Sequence, residues 1–517
     1  MTGPMTGCPI PGDDRRCRLS RPLILRPLTV ALTSFLAIGL AGCDQTVPYA
    51  NPTFPFLPGY AAAQPGVPVL LTNAAWWRGL QDPVLDRLVA LALRDNLSLA
   101  LARERVIAAR AARQSVPGAA GLSASADLQR SGGTQTDAAT VATAQLGLSW
   151  MLDPYGTRRA TLGIAGAGIA VAEAEADAAR LLVLFNIANA YVDLRYRQRV
   201  LALSRRDLDN SQTTLALTQS LLAADAATRL DIARTEARVA GVRAQLPGQE
   251  AAVTAQLNEI AVLAGVSPGG LPADLAALLG HSAAQPGPSL SPDIGIPADL
   301  LRNRPDIRIA ERRYYAAVAE VGVAQAALYP RLSLSGAITL SAVGRSGVGA
   351  TNYYFGPVVQ FPGLPSGSGR AVVDQRNSEA RQAHLIWQTT VLSAIAEVET
   401  ALVEYQAAGT ATHSAREASR LYGDVLDLTR DVLRREEATL SDLIDAEQAV
   451  AAADSTLADL RRQYALRFIA LNIRLGAGAA ATPVQGEPAG GAPVLAPVLA
   501  PVLDGGLVPV LAPIASN

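Results

Sequence analysis

At 517 residues the chain has room for two to four ordinary domains. Its formal net charge of −1 excludes a global electrostatic bias toward nucleic acid. Half of the residues are hydrophobic but only 5% are aromatic, a balance that favours long helices packed by Ala, Leu and Val over a wide globular core. Cys8, Cys17 and Cys43 all lie near the N-terminus, so the body carries neither a disulfide framework nor a thiolate metal site. His281, His384 and His413 are scattered without metal-ligand spacing and read as surface or packing residues. No cofactor and no metal are expected.

Arg15, Arg16, Arg18, Arg21 and Arg26 form a basic region ahead of an apolar run of 13 residues, Leu28 to Leu40. That run is too short to span a bilayer as a mature helix. It ends in Leu40-Ala41-Gly42-Cys43, which looks like a bacterial lipobox with Cys43 as the acylated first residue of the mature chain. An ordinary secretory signal that happens to contain cysteine is the plainer reading. The small residues, the thiol and the spacing together favour the lipoprotein. Residues 1–42 are thus a signal peptide, and 43–75, rich in Pro, Gly and Ala, an extended lipidated tether.

Trp76-Trp77 opens a helical stretch. Asp82-Pro83 is a helix-start signal, with Leu85, Leu88, Val89, Ala92 and Leu93 recurring at helical spacing. A second helix runs from about Leu97 to Ser115 and stops at Pro117-Gly118. The period then changes to two. Leu122, Ala124, Ala126 and Leu128 alternate with small polar residues, as do Ala144, Leu146, Leu148 and Trp150, giving a hairpin over about 121–151. A proline-free helical pattern follows from about Arg158 to Ala223, then a turn, then a returning helix from Thr228 to Leu263 that Pro247 is expected to kink.

The second half repeats this order. At an offset of 211 positions Leu217 falls on Leu428, Thr228 on Thr439, Asp231 on Asp442, Glu236 on Glu447 and Gly265 on Gly476. A duplication this long predicts two copies of one structural unit. The first repeat spans 76–279 and the second 299–476, joined by a linker at 280–298. The second hairpin covers about 331–361, and Pro357 and Pro362 suggest a bent or edge strand there. The tail 477–517 repeats Ala-Pro-Val-Leu and reads as disordered.

Each alternating run has about the 9–11 residues of a membrane strand, apolar on one side and polar on the other. Four strands cannot close a barrel with a lumen, and an open sheet in lipid leaves unpaired edges. Several chains must therefore share one barrel, with the long helices as a coaxial tube on one side. The fold class expected is an α+β membrane protein with four transmembrane strands per chain, long helical hairpins and two structural repeats. No phosphate-binding loop, metal cluster or nucleophile–base set supports an enzyme.

At this point the chain resembles the TolC-like outer membrane factor family, in its NodT/OprM-type lipoprotein branch. The most specific match is Leu300-Leu301-Arg302-Asn303-Arg304-Pro305-Asp306-Ile307-Arg308, followed by Pro330-Arg331-Leu332-Ser333-Leu334-Ser335-Gly336 entering a strand. Trp77 to Asp86, Trp150 to Arg159 and Gly367-Ser368-Gly369-Arg370 also match, so the resemblance covers about Trp76 to Gly476. It implies a homotrimeric, twelve-stranded outer-membrane barrel continued by a periplasmic α-helical tunnel. It implies a passive conduit exporting drugs or other solutes, working with a periplasmic adaptor (membrane fusion) protein and an inner-membrane pump of the resistance-nodulation-division (RND) type. Outer-membrane lipid is a further partner.

The resemblance also marks site residues. The tips carrying Asp225, Thr228, Asp231, Glu437 and Thr439 are similar to the family's adaptor-contacting turns. Asp442-Leu443-Ile444-Asp445-Ala446 matches the family's acidic, cation-favouring entrance. Asp442 has two readings, helix cap and gate. Asp445 lies beyond the cap position and reads as gate. A type I protein-secretion component shares this architecture, and a coiled-coil scaffold lipoprotein is a more distant alternative, disfavoured by the two hairpins.

Overall fold

The computed structural model describes residues 47–62, 75–133, 136–288, 297–343, 348–363, 367–435 and 437–479. Cys43, the leader and the Pro-rich tail lie outside the described residues. Trp76–Leu80 forms a 3-10 turn that Gln81 ends at φ 52°. Asp82 then accepts from Val84 N–H at 2.9 Å and starts α1 (Pro83–Asp95), with Pro83 in the first turn where its missing N–H does no harm. Leu85, Leu88, Val89 and Ala92 make the buried stripe of α1. Asn96 ends α1 and caps α2 (Leu97–Gln114), so no linker separates the two.

β1 (Ala120–Gly133) and β2 (Thr136–Leu152) form the first hairpin, and β3 (Arg331–Val343) and β4 (Val348–Gln360) the second. The four make one antiparallel sheet in the order β1-β2-β3-β4, so the repeats meet at the β2–β3 seam. The register sorts side chains by face. Leu122, Leu148, Gly336 and Phe355 align across the sheet, as do Ala124, Leu146, Ile338 and Tyr353. The other face carries Ser125, Gln145, Thr339 and Asn352 in one row. The apolar face is bare: Leu122 is 72% exposed and Phe355 67%. Phe355 lies over Gly336, where a Cβ would stand 2.8 Å from its ring. Pro357 sits in β4 opposite Leu334, at the edge of the chain's own sheet.

Two very long helices follow the hairpins. α3 (Thr157–Ala223) has 67 residues and α7 (Gly367–Arg434) has 68. Each reaches about 100 Å at the helical rise of about 1.5 Å per residue. They return through α4 (Arg229–Leu263) and α8 (Leu440–Arg474), 35 residues each. Pro247 lies inside α4 without ending it; the helix runs on through to Leu263. A short α5 (Ala273–Gly280) and the longer α6 (Pro305–Ala326) complete the body, α6 packing on both α3 and α7. Contacts place the long helices side by side in the order α4, α3, α8, α7, a wall one helix thick.

Both returning helices stop the same way. Val266 N–H reaches Ala261 O at 3.0 Å and Ala477 N–H reaches Asn472 O at 2.9 Å, closing Schellman turns on Gly265 (φ 79°) and Gly476 (φ 77°). Beside them, Asn96 donates to Leu263 O at 2.7 Å and Arg304 to Arg474 O at 3.0 Å. Leu263 and Arg474 are repeat equivalents, so Asn96 and Arg304 do one task with different side chains. Arg304 adds a bidentate pair with Asp306 (3.0 and 2.6 Å) and a bond to Glu397 on α7 (2.9 Å). The Arg-Pro-Asp signature is therefore a joint between α6, α7 and the end of α8, with its guanidinium nearly buried and its carboxylates half exposed.

The described part of the tether, 47–62, is extended but docked. Tyr60 is buried, and Ala61 and Ala62 N–H groups donate to the Glu399 carboxylate on α7 at 2.6 and 2.9 Å. Gln406 donates to Ala62 O at 3.1 Å. Phe54 packs edge-on to Trp387, and Tyr49 lies against Tyr314 and Tyr315 of α6. The segment is a strap along the second repeat.

Candidate functional site

The two tips are copies. At the end of α3, Asp225 takes φ 57° and the Ala226 N–H returns to Leu221 O at 2.8 Å. At the end of α7, the Glu437 N–H returns to Val432 O at 3.1 Å, the same bond 211 positions on. Each turn then launches its helix through a full capping box. Thr228 N–H donates to Asp231 at 3.0 Å, and Asp231 N–H to the Thr228 hydroxyl at 3.3 Å. Thr439 N–H donates to Asp442 at 2.9 Å, and Asp442 N–H to the Thr439 hydroxyl at 3.2 Å. Asp225, Thr228, Glu437 and Thr439 are exposed at the ends of the hairpins.

Asp442 is thus a helix cap in this chain, and still solvent-facing. The Thr439 hydroxyl, then its backbone N–H, holds the Asp442 carboxyl below the ordinary aspartate value. Thr228 does the same for Asp231. A depressed carboxyl contributes stability above its unfolded pKa that is lost as pH falls through the folded one, so both caps are intact at neutral pH. Asp445 is exposed one turn further, with no bond or ion pair among the described residues. Leu443 and Ala446 face the hairpin core, leaving Asp442 and Asp445 together on one open face.

Sequence reasoning aligned Glu447 with Glu236 but gave it no task. Glu236 is exposed, whereas Glu447 is 5% exposed. Its carboxylate accepts from the Thr214 hydroxyl of α3 at 3.2 Å and lies 3.6 Å from Arg430 of α7. It ties three helices just above the acidic pair. Ser211, Thr214, Thr218 and Thr235 are buried nearby, and Arg238 pairs with Asp207 at 2.7 Å. The α3 side of these seams is polar, while Leu426, Leu443, Ala446 and Val450 keep a small apolar cluster between α7 and α8. The only advance signal was a carboxylate two residues past Asp445.

Burial pushes the Glu447 carboxyl up, opposed by Thr214, Arg430 and Arg238. A raised carboxyl favours folding below its unfolded pKa and loses that contribution as pH rises through the folded value. Glu447→Gln should therefore raise the thermal midpoint of the purified protein by a few degrees at neutral pH, and the gain should shrink as pH falls toward about 4.5. A gain that does not change with pH would contradict this.

No helix among the described residues is long and apolar enough to cross a membrane, and no metal-holding cluster is found among them. The apolar surface lies instead on the four-stranded sheet. Such a sheet on long helical hairpins is the architecture of an outer-membrane channel subunit. The chain belongs to the outer membrane efflux protein family, whose description matches residues 88–266 and 296–477. Nodulation protein T of Rhizobium leguminosarum bv. trifolii is 34% identical over 460 residues, covering 86% of this chain and 97% of that protein. The pyoverdine export outer membrane protein OpmQ of Pseudomonas aeruginosa is 29% identical over 425 residues, covering 78% and 87%. The solved outer-membrane channel OprN superposes with a TM-score of 0.74 at 29% identity, covering 83% of this chain and 98% of that one. The outer membrane is accordingly where this chain works.

Proposed function

We propose that three copies form a twelve-stranded barrel and a continuous periplasmic tunnel, the passive outer-membrane conduit of a tripartite efflux system. The carrying observation is the sheet: four strands, two unpaired edges and a bare apolar outer face. Joining β4 of one copy to β1 of the next removes every edge. Acyl chains on Cys43 anchor the strap in the same bilayer. The tips, with Asp225, Thr228, Asp231, Glu437 and Thr439, meet a periplasmic adaptor that connects to an RND-type inner-membrane pump. The energy comes from that pump. Small solutes are the cargo, a reading supported by the named export of pyoverdine by a relative.

Asp442 and Asp445 from each copy ring the periplasmic mouth. Carboxylates gathered in a narrow opening favour cations. In planar bilayers the wild-type oligomer should give discrete cation-selective openings. Asp442→Ala/Asp445→Ala should lower the cation-over-anion permeability ratio by at least about twofold. Unchanged selectivity in a conducting variant would remove the pair from the entrance, and absence of channels from folded oligomer would end the conduit reading.

A further inference from the structure

The duplication supplies an internal comparison. In the first hairpin, Arg205 of α3 pairs with Glu250 of α4 at 2.7 Å. The equivalent positions in the second hairpin, 211 residues on, are Arg416 of α7 and Arg461 of α8. The carboxylate has become a second guanidinium, while the helices around it keep the same register. A third arginine, Arg199 of α3, lies close enough for its field to act on Arg461. Neighbouring bonds fix this layer: Asp193 of α3 meets Arg462 at 2.5 Å, Thr412 reaches Leu460 O at 3.1 Å, and Ser419 reaches Asp454 at 2.6 Å. Arg199, Arg416 and Arg461 fall among these contacts on three adjacent helices.

None of the three has a hydrogen bond or ion pair among the described residues. The field of Asp454 acts on Arg461, but that carboxylate is engaged by Ser419 and by Arg206 at 3.8 Å. Burial, then the fields of Arg416 and Arg199, holds the half-buried Arg461 guanidinium below the usual arginine value. Like charges are kept together here where the sister hairpin holds an ion pair.

We propose that Arg199, Arg416 and Arg461 form a binding site for an external carboxylate, the group that Glu250 supplies internally in the first repeat. Guanidinium forks match carboxylates in pairs of parallel bonds. Arg199 and Arg416 are exposed and Arg461 is half-buried, so the cluster is open to solvent. Arg416 lies ten residues beyond Gln406, the strap's last anchor, which is about 15 Å along α7 and about 80° round it toward α8. With the anchoring and assembly proposed above, the strap lies on the outer side of the barrel and tunnel, so the ligand arrives from the periplasm. The cluster lies on α3, α8 and α7, and α8 stands inside the wall, away from its α4 edge. The carboxylate comes from a free polycarboxylate or from an acidic side chain of a periplasmic partner.

The test uses the full-length oligomer in detergent and citrate as probe, against chloride at equal ionic strength. Citrate should raise the wild-type thermal midpoint and bind with a stoichiometry of about one per chain. Arg461→Glu should restore the internal pair with Arg416, raise the midpoint without citrate and abolish the citrate response. Arg416→Gln, which adds no charge reversal, should weaken citrate at least about tenfold. Equal citrate stabilisation of wild type and both variants, or none in the wild type, overturns the site. A photo-crosslinking residue in place of His413 then separates the sources in cells. An adduct lost with Arg461→Glu marks a partner's carboxylate, and citrate binding without an adduct marks a free solute. Single-channel conductance, expected to survive Arg461→Glu, keeps failure of the site distinct from failure of the conduit.

Discussion

Arg304→Ala is expected to destabilise the chain by about 2–3 kcal/mol, the loss of charged hydrogen bonds from a nearly buried guanidinium whose two carboxylate partners are close to half exposed. The guanidinium is only 11% exposed as a side chain and serves four acceptor atoms: both oxygens of Asp306, Glu397 and the Arg474 carbonyl. Its removal takes a donor from Asp306, from Glu397 and from the Arg474 carbonyl at the end of α8. Arg304→Lys should recover only part of the loss, because an ammonium cannot hold Asp306 bidentately while reaching α7 and α8. The first repeat supplies the control. Asn96 caps α2 and bonds Leu263 O without any charge, so Asn96→Ala should lose only about 1–2 kcal/mol. Chemical denaturation of the three variants checks the order. If Arg304→Ala loses no more than Asn96→Ala, the Arg-Pro-Asp joint contributes capping alone and the charge network adds nothing.

The pair also shows what was readable from sequence. Helices and strands were legible because each imposes its own hydrophobic period, and the switch from 3.6 to 2 and back is sharp at Pro117-Gly118 and near Tyr155. The tips were legible because capping is local: Thr228 with Asp231 and Thr439 with Asp442 satisfy their bonds within four residues. Contacts between distant segments leave no such period. Asn96 and Arg304 share a task but not a side chain, so comparing the repeats letter by letter conceals it. Glu447 and Glu236 share a letter but not an environment, because only the second repeat's returning helix packs against the other hairpin. The strap, a segment of loose composition, gains its order from Glu399, Trp387 and Gln406, more than three hundred residues away in sequence. Pro247 lacks one backbone donor, yet α4 runs through it without a break to Leu263, packed against α3.

The other large effect concerns backbone rather than charge. Gly476→Ala should destabilise by about 3 kcal/mol or more. The left-handed conformation at φ 77° contributes about 1–2 kcal/mol for any L side chain. The new Cβ would also stand 2.6 Å from the Asn303 carbonyl oxygen, backbone that cannot turn away. Asn303 precedes Arg304, so the clash pushes on the same joint that caps α8. Gly265→Ala should behave alike, since its Cβ would collide with the Asp95 carbonyl just before Asn96. Gly241→Ala should have the opposite sign. Gly241 lies inside α4 with open space where a Cβ would go, so alanine there should stabilise by about 0.5–1 kcal/mol. Thermal midpoints of the three variants decide the matter. Equal losses at all three would mean that added bulk, not conformation, sets the effect. A loss at Gly241 alone, measured in the oligomer, would instead place a neighbouring copy against that face of α4, as the proposed ring of three expects.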